Sequence, residues 1–148
     1  MGRVYCGPYA GEVGCEHEGY AARVLPNGEL TAIWRAETDE FIAFVAACAC
    51  EWTGGERYAP TEAGEDAALE FWDREHLQPL IRTAAREGWR RWGGRAASAA
   101  SEVAAYVGAD RYDLAVPVMR RLLEDVQTWA RILEEIAAEH AAAGGGER

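Results

Sequence analysis

Phe41-Ile-Ala-Phe-Val-Ala-Ala-Cys48-Ala-Cys50-Glu-Trp52-Thr-Gly54 is the stretch on which the fold turns. It opens as an unbroken apolar run and ends in two cysteines two residues apart, with a tryptophan and a glycine close behind. A run of this length after polar residues reads as a buried strand. Residues two apart on a strand point to one side, so both sulfurs face the same way, in the manner of a metal knuckle. A structural zinc site needs about four thiolate or imidazole donors converging at roughly 2.0 to 2.3 Å from one ion. Cys48 and Cys50 supply two of them.

The other donors lie on either side. Residues 1 to 16 are rich in glycine and read as an irregular or short-strand arm. Tyr20 to Leu25 and Leu30 to Arg35 alternate like strands around Pro26-Asn27-Gly28-Glu29, and Asn-Gly is a strong hairpin signal because both residues tolerate positive φ. A polar turn at Glu37-Thr-Asp-Glu40 leads into the Phe41 strand, and Trp52 to Tyr58, interrupted by Gly54-Gly55, supplies a short fourth strand. Thr61 caps a helix whose first turn is acidic, with Leu69, Trp72, His76 and Leu77 at helical spacing; Pro79 should end it near Gln78. Trp72 and His76 share a face, which must be the one turned to the sheet, so His76 is the third ligand.

For the fourth, Cys15 and His17 form an alternating pair ahead of the first strand, and Cys6 is the remaining candidate. In a plain three-stranded meander the start of the first strand and the end of the third lie at opposite ends of the sheet. His17 then reaches Cys50 only if the strand order differs, and otherwise the arm must fold Cys6 over the site. The competing interpretation makes Cys48 and Cys50 small core residues and His76 a helix-end residue complementing the dipole.

Cys48-Ala-Cys50-Glu-Trp52-Thr-Gly54, then Ala68-x-x-x-Trp72-x-x-x-His76 with Pro79-Leu80 behind it, resembles a group of small actinobacterial zinc-finger-like proteins. These carry Cys-x-Cys-Gly-Trp-x-Gly, a helix with Trp-x-x-x-His and an upstream Cys or His. Glu51 stands where they often have glycine. The resemblance covers less than half the chain. It implies a zinc-finger-like module with one structural Zn2+, and it implies no particular reaction.

Beyond Pro79, Ile81, Ala85, Gly88 and Trp92 continue a helical stripe that Gly93-Gly94 weakens or breaks, and Ala96 to Val107 reads as a further helix closed by Gly108. Met119, Leu122, Val126, Trp129, Leu133, Ile136 and His140 follow alternating three- and four-residue steps, the seam of a long helix packed on another. Ala141 to Arg148 should fray. The expected fold is α+β, a small antiparallel sheet with a packed helix, followed by a C-terminal helical hairpin or bundle. The expected divisions are a zinc-binding module over 1–78, a helical unit over 79–143 and a disordered tail over 144–148.

Composition narrows the function. The 148 residues carry a formal charge of −10, which argues against coating nucleic acid or anionic membrane with the whole surface. All 15 basic residues are arginine, and alanine and glycine abound, as GC-rich bacterial codons would produce. The start has no signal-peptide core and the longest apolar run is too short to span a bilayer, so a cytoplasmic protein is expected. A reducing compartment favours metal ligation over disulfides. No His-Glu-x-x-His, Pro-Cys-x-x-Cys or phosphate-cradling loop is present, and Ser98 and Ser101 have no partnered histidine. A non-enzymatic adaptor or regulator acting on a protein partner is the first function expected. The alternative is a nucleic-acid-binding regulator that uses Arg82, Arg86, Arg90, Arg91 and Arg95, which with Glu87 give residues 79 to 95 a net +4. Those arginines otherwise pair with acids such as Glu124, Asp125, Glu134 and Glu135 across the helical hairpin. A zinc hydrolase ranks last. A homodimer through the C-terminal helix competes with pairing inside the chain, because the alanine-rich partner helix leaves apolar surface to cover.

Overall fold

The computed structural model of the protein describes residues 2–33 and 40–144. The chain divides into two compact units, Met1–Ala84 and Ala85–Arg148. The dividing point lies inside a helix, six residues beyond the expected junction at Gln78.

In the first unit a four-residue helix α1 (Ala10–Val13) precedes strands β1 (Gly19–Val24), β2 (Leu30–Thr31), β3 (Ala43–Cys48) and β4 (Thr53–Tyr58), then helix α2 (Glu62–Trp72). The glycine-rich arm is thus partly helical, and Arg3 pairs with Gly19 through two backbone hydrogen bonds of 2.7 and 2.9 Å. Asn27-Gly28 makes the hairpin between β1 and β2: Gly28 has φ 86° and Val24 faces Leu30 across the ladder. The expected run of the second strand to Arg35 and the Glu37-Thr-Asp-Glu40 turn fall largely on residues 34–39, outside the described residues.

The sheet is antiparallel in the order β2-β1-β3-β4, so of the two alternatives the strand order differs from a plain meander. β3 does not pair with β2 but with β1, over the full register from Gly19 opposite Cys48 to Val24 opposite Ala43. Every residue of β3 is buried, as befits a strand flanked on both edges, and α2 packs against β1, β3 and β4. Gly54-Gly55 does not interrupt β4; a Cβ on Gly54 would stand 2.9 Å from the Phe71 ring, so the glycine admits that ring.

The Thr61 hydroxyl caps α2, accepting from the Gly64 N–H at 3.2 Å. Pro79 does not end the helix. Residues Asp73–Leu77 form one π-helical turn, in which the Gln78 N–H reaches back to the Asp73 carbonyl, and α3 (Gln78–Gly108) follows directly. Proline lacks an amide hydrogen and crowds the carbonyl four residues before it; the wider turn immediately upstream makes room for the ring.

In the second unit α3 from Ala85 onward and α4 (Tyr112–Gly144) form an antiparallel helical hairpin. α3 runs through Gly93-Gly94, against the expected break. Two helical glycines cost about 1 kcal/mol each relative to alanine, and the aromatic packing just upstream outweighs that. Trp129 of α4 lies edge-on to Trp89 at 4.6 Å and near Trp92 at 6.2 Å. An Arg95–Asp125 ion pair of 3.8 Å also joins the two helices.

The seam expected on α4 is half right. Its side chains that are not exposed are Ala115, Val118, Leu122, Asp125, Trp129, Ile132 and Ile136, whereas Met119, Val126, Leu133 and His140 are exposed. Helix continues through the alanines to Gly144, and residues 145–148 lie outside the described ones. Among the described residues no helix is long and apolar enough to cross a membrane.

Gly19 decides whether Trp72 can sit on the sheet. A Cβ there would overlap the Trp72 indole, which is 2% exposed. Gly19→Ala should destabilise the protein by about 2–3 kcal/mol through overpacking, while Gly11→Ala, with no atom nearby, should stay close to wild type. Urea denaturation of both variants checks this; an unchanged midpoint for Gly19→Ala would show that Trp72 is not seated there.

Candidate metal centre

Four donor atoms from three segments meet at one end of β1 and β3. They are His17 Nδ1, Cys48 Sγ, Cys50 Sγ and His76 Nε2, all within 4.8 Å of one another. Cys50 Sγ lies 3.2 Å from His76 Nε2, and Cys48 Sγ lies 3.9 Å from His17 Nδ1. A tetrahedral zinc ion with ordinary Zn–S and Zn–N bonds sets its donors roughly 3.3 to 3.8 Å apart, so these two pairings already stand near that spacing. Two thiolates and two neutral imidazoles would balance a divalent ion with no carboxylate, and none joins the cluster among the described residues. The residues fit a metal ion.

The backbone sets this convergence. Cys48 ends β3 opposite Gly19, and the Ala49 N–H donates to the Glu18 carbonyl at 2.9 Å, fastening the segment that carries His17 to the knuckle. The knuckle is a tight turn rather than strand alternation, which corrects the expected geometry: the Glu51 N–H donates to the Cys48 carbonyl at 3.0 Å and the Cys48 N–H to the Trp52 carbonyl at 2.9 Å. Turning the chain after Cys48 is what brings Cys50 round to the same side. His76 comes from the π-helical turn.

Aromatic rings wall the cluster. The Trp52 ring stacks on His76 at 4.6 Å and 17°, fixing the imidazole plane, and the His17 and His76 rings lie 5.4 Å apart. Cys48 is fully buried, and burial pushes its thiol above the ordinary value. The buried Trp72 N–H has no hydrogen bond of ordinary geometry, yet it lies close enough to favour the Cys48 thiolate. Burial, and after it the charge of His17, holds His76 below the ordinary imidazole value, which keeps it neutral as a metal ligand must be.

Of the sequence candidates, Cys48, Cys50, His76 and His17 come together. Cys15 and Cys6 are exposed free thiols and take no part in the cluster. The strand order explains why His17 reaches: β1 lies directly beside β3, so its start adjoins the end of β3. The stacking of Trp52 on His76 was not anticipated; its signal is the tryptophan two residues beyond Cys50. Arg91 pairs with Glu87 at 3.9 Å and Arg95 with Asp125 at 3.8 Å. Arg86 and Arg90 are exposed, and Arg82 is exposed in the first unit. Compared with protein-family models, curated proteins and solved structures, the chain matches none.

Glu51 holds the knuckle at φ 71°, a left-handed conformation that glycine adopts without strain. That conformation costs a side-chain-bearing residue roughly 1–2 kcal/mol, and glycine gives back about 0.5–1 kcal/mol through the unfolded chain. Glu51→Gly should therefore raise stability by up to about 1 kcal/mol, and Glu51→Val should lower it, because a β-branched residue tolerates this region worst. Chemical denaturation distinguishes the two; equal effects would mean that the turn adopts another conformation in solution.

Proposed function

We propose that the protein is a zinc protein without enzymatic activity, in which one structural Zn2+ on His17, Cys48, Cys50 and His76 holds the N-terminal unit in shape for an adaptor or regulatory role. The observation that carries this reading is the convergence of four donor atoms within 4.8 Å. Thiolate with imidazole is a donor set that selects zinc over magnesium, calcium or manganese, which prefer oxygen. Four protein donors complete the coordination of a structural zinc ion, whereas a catalytic ion keeps a position open for water. The resemblance to zinc-finger-like proteins points the same way. The reducing cytoplasm, where thiols stay available to metal, suits such a site.

Recognition of a macromolecule, and of a protein before a nucleic acid, fits the remaining surface. The charge of −10 disfavours phosphate, and two of the arginines that would grip it are already engaged with Glu87 and Asp125. A labelled duplex titrated at low ionic strength separates these partners, since salt-dependent binding would favour the nucleic-acid role.

Metal analysis of protein purified without chelator should find one zinc per chain. Cys50→Ser should lose the ion and lower the thermal midpoint by about 10 °C, the shift that a loss of roughly 2 kcal/mol brings in a small domain. Cys15→Ser and Cys6→Ser should keep both metal and midpoint. A wild-type protein that folds fully with no stoichiometric metal would overturn the reading.

A further inference from the structure

Helix α4 carries two apolar stripes, and the hairpin uses one. The inward stripe, centred on Trp129, meets α3. A second begins at Tyr112 and recurs at alternating steps of four and three residues through Ala137, and every one of its eight positions is exposed. This is a heptad seam rather than a scatter of surface apolar residues. The two stripes adjoin, and the rest of the helix circumference is polar, with Arg120, Glu124, Arg131 and Glu134 among its side chains.

Six of the eight positions hold large side chains that are between 40% and 57% exposed. With ordinary side-chain areas they present on the order of 600 Å² of apolar surface per copy, against roughly 800 Å² per partner in a standard specific interface. That is at the top of the roughly 300–600 Å² which a monomer leaves open in its largest patch.

The seam is complementary to itself when reversed. Laid antiparallel about a twofold axis midway between Leu123 and Val126, it forms four kinds of layer: Leu123 on Val126, Met119 on Ala130, Val116 on Leu133 and Tyr112 on Ala137. Each large residue meets a small one, or two of middle size meet, and every position finds an apolar partner. A parallel pairing would stack Tyr112 on its own copy and Ala130 on its own copy, alternately too thick and too thin for close packing.

We propose that this outer stripe of α4 is a homodimer interface, in which two copies pair antiparallel with Leu123 and Val126 at the twofold axis. The interface is isologous, so each layer off the axis is made twice. It rests on α4 alone and is independent of the metal.

Sedimentation equilibrium of the full-length, metal-replete protein at tens of micromolar should give twice the 16.2 kDa chain mass. Leu123→Glu/Val126→Glu should weaken dimerisation by roughly a hundredfold or more, because it buries unpaired charge at the axis. Val116→Glu alone and Leu133→Arg alone should also yield monomers. The double variant Val116→Glu/Leu133→Arg should restore the dimer, since the antiparallel register sets each glutamate against the arginine of the other copy. Within one chain the two positions lie about 25 Å apart along the helix, so they cannot pair internally.

A monomeric wild type overturns the proposal, as does a dimer that survives Leu123→Glu/Val126→Glu. Failure of the double variant to recover overturns the antiparallel register. All the substituted positions are exposed in the single chain, so circular dichroism should show unchanged helicity in the monomeric variants; lost helicity would mean that the stripe packs within the chain and would equally overturn the proposal.

Discussion

The N-terminal unit depends on one pairing, the antiparallel ladder that sets Gly19 of β1 opposite Cys48 of β3. Two strands running in opposite directions place the start of one beside the end of the other, which is what carries His17 to the cysteine knuckle. The missing side chain at Gly19 then leaves the space that the Trp72 indole fills. Trp72 stands one helical turn before His76, so the ring that anchors the helix to the sheet also sets how far His76 projects. The Glu18–Ala49 and Arg3–Gly19 backbone hydrogen bonds reinforce the same register. A slip of one residue along this ladder would turn Cys48 to the opposite face and undo the convergence.

Much of this is local and can be read from the chain. The Asn27-Gly28 turn needs positive φ, the Thr61 cap needs a hydroxyl ahead of an acidic first turn, and the run from Phe41 needs burial; each is written in adjacent residues. Three of the four converging donors, Cys48, Cys50 and His76, are legible as well, since the turn and the helix that carry them are short-range structures. The choice of His17 over Cys15 or Cys6 is not local. It follows from strand order, and the alternation of β1 and the unbroken apolar run of β3 suit either order. Continuity of the helix past Pro79 was hidden for a related reason: a single π turn absorbs the proline, and nothing in the composition of Asp73–Leu77 marks it.

The core of this unit also explains why a metal would matter to it. β3 is buried throughout, yet three of its six residues are alanines, which contribute little apolar area when they leave water. Trp72, Leu69 and Phe44 supply most of the large buried side chains around them. A sheet this thin over one helix sits at the size where small domains recruit metals or disulfides. An ion on the four donors would tie the chain ahead of β1, the turn after β3 and the helix after β4 to a single point. Because the four donors come from segments far apart in sequence, the unfolded chain does not present the site, and the ion's binding free energy would add to the stability of the fold.

Helix α4 shows why periodicity alone misleads. The seam read from the sequence steps through Met119, Leu122, Val126, Trp129, Leu133 and Ile136 with the regular alternation of a buried stripe. The structure sorts these residues onto two neighbouring stripes, with Leu122, Trp129 and Ile136 inward and Met119, Val126 and Leu133 outward. Two heptad stripes that lie side by side share a spacing, and a reader can move from one to the other without breaking the rhythm. What separates them is the partner. A two-helix hairpin offers each helix a single neighbour, and α3, with its alanines and glycines, is too slender to wrap the second stripe. A helix whose apolar face spans two seams is built for two neighbours, and within residues 85–144 there is only one.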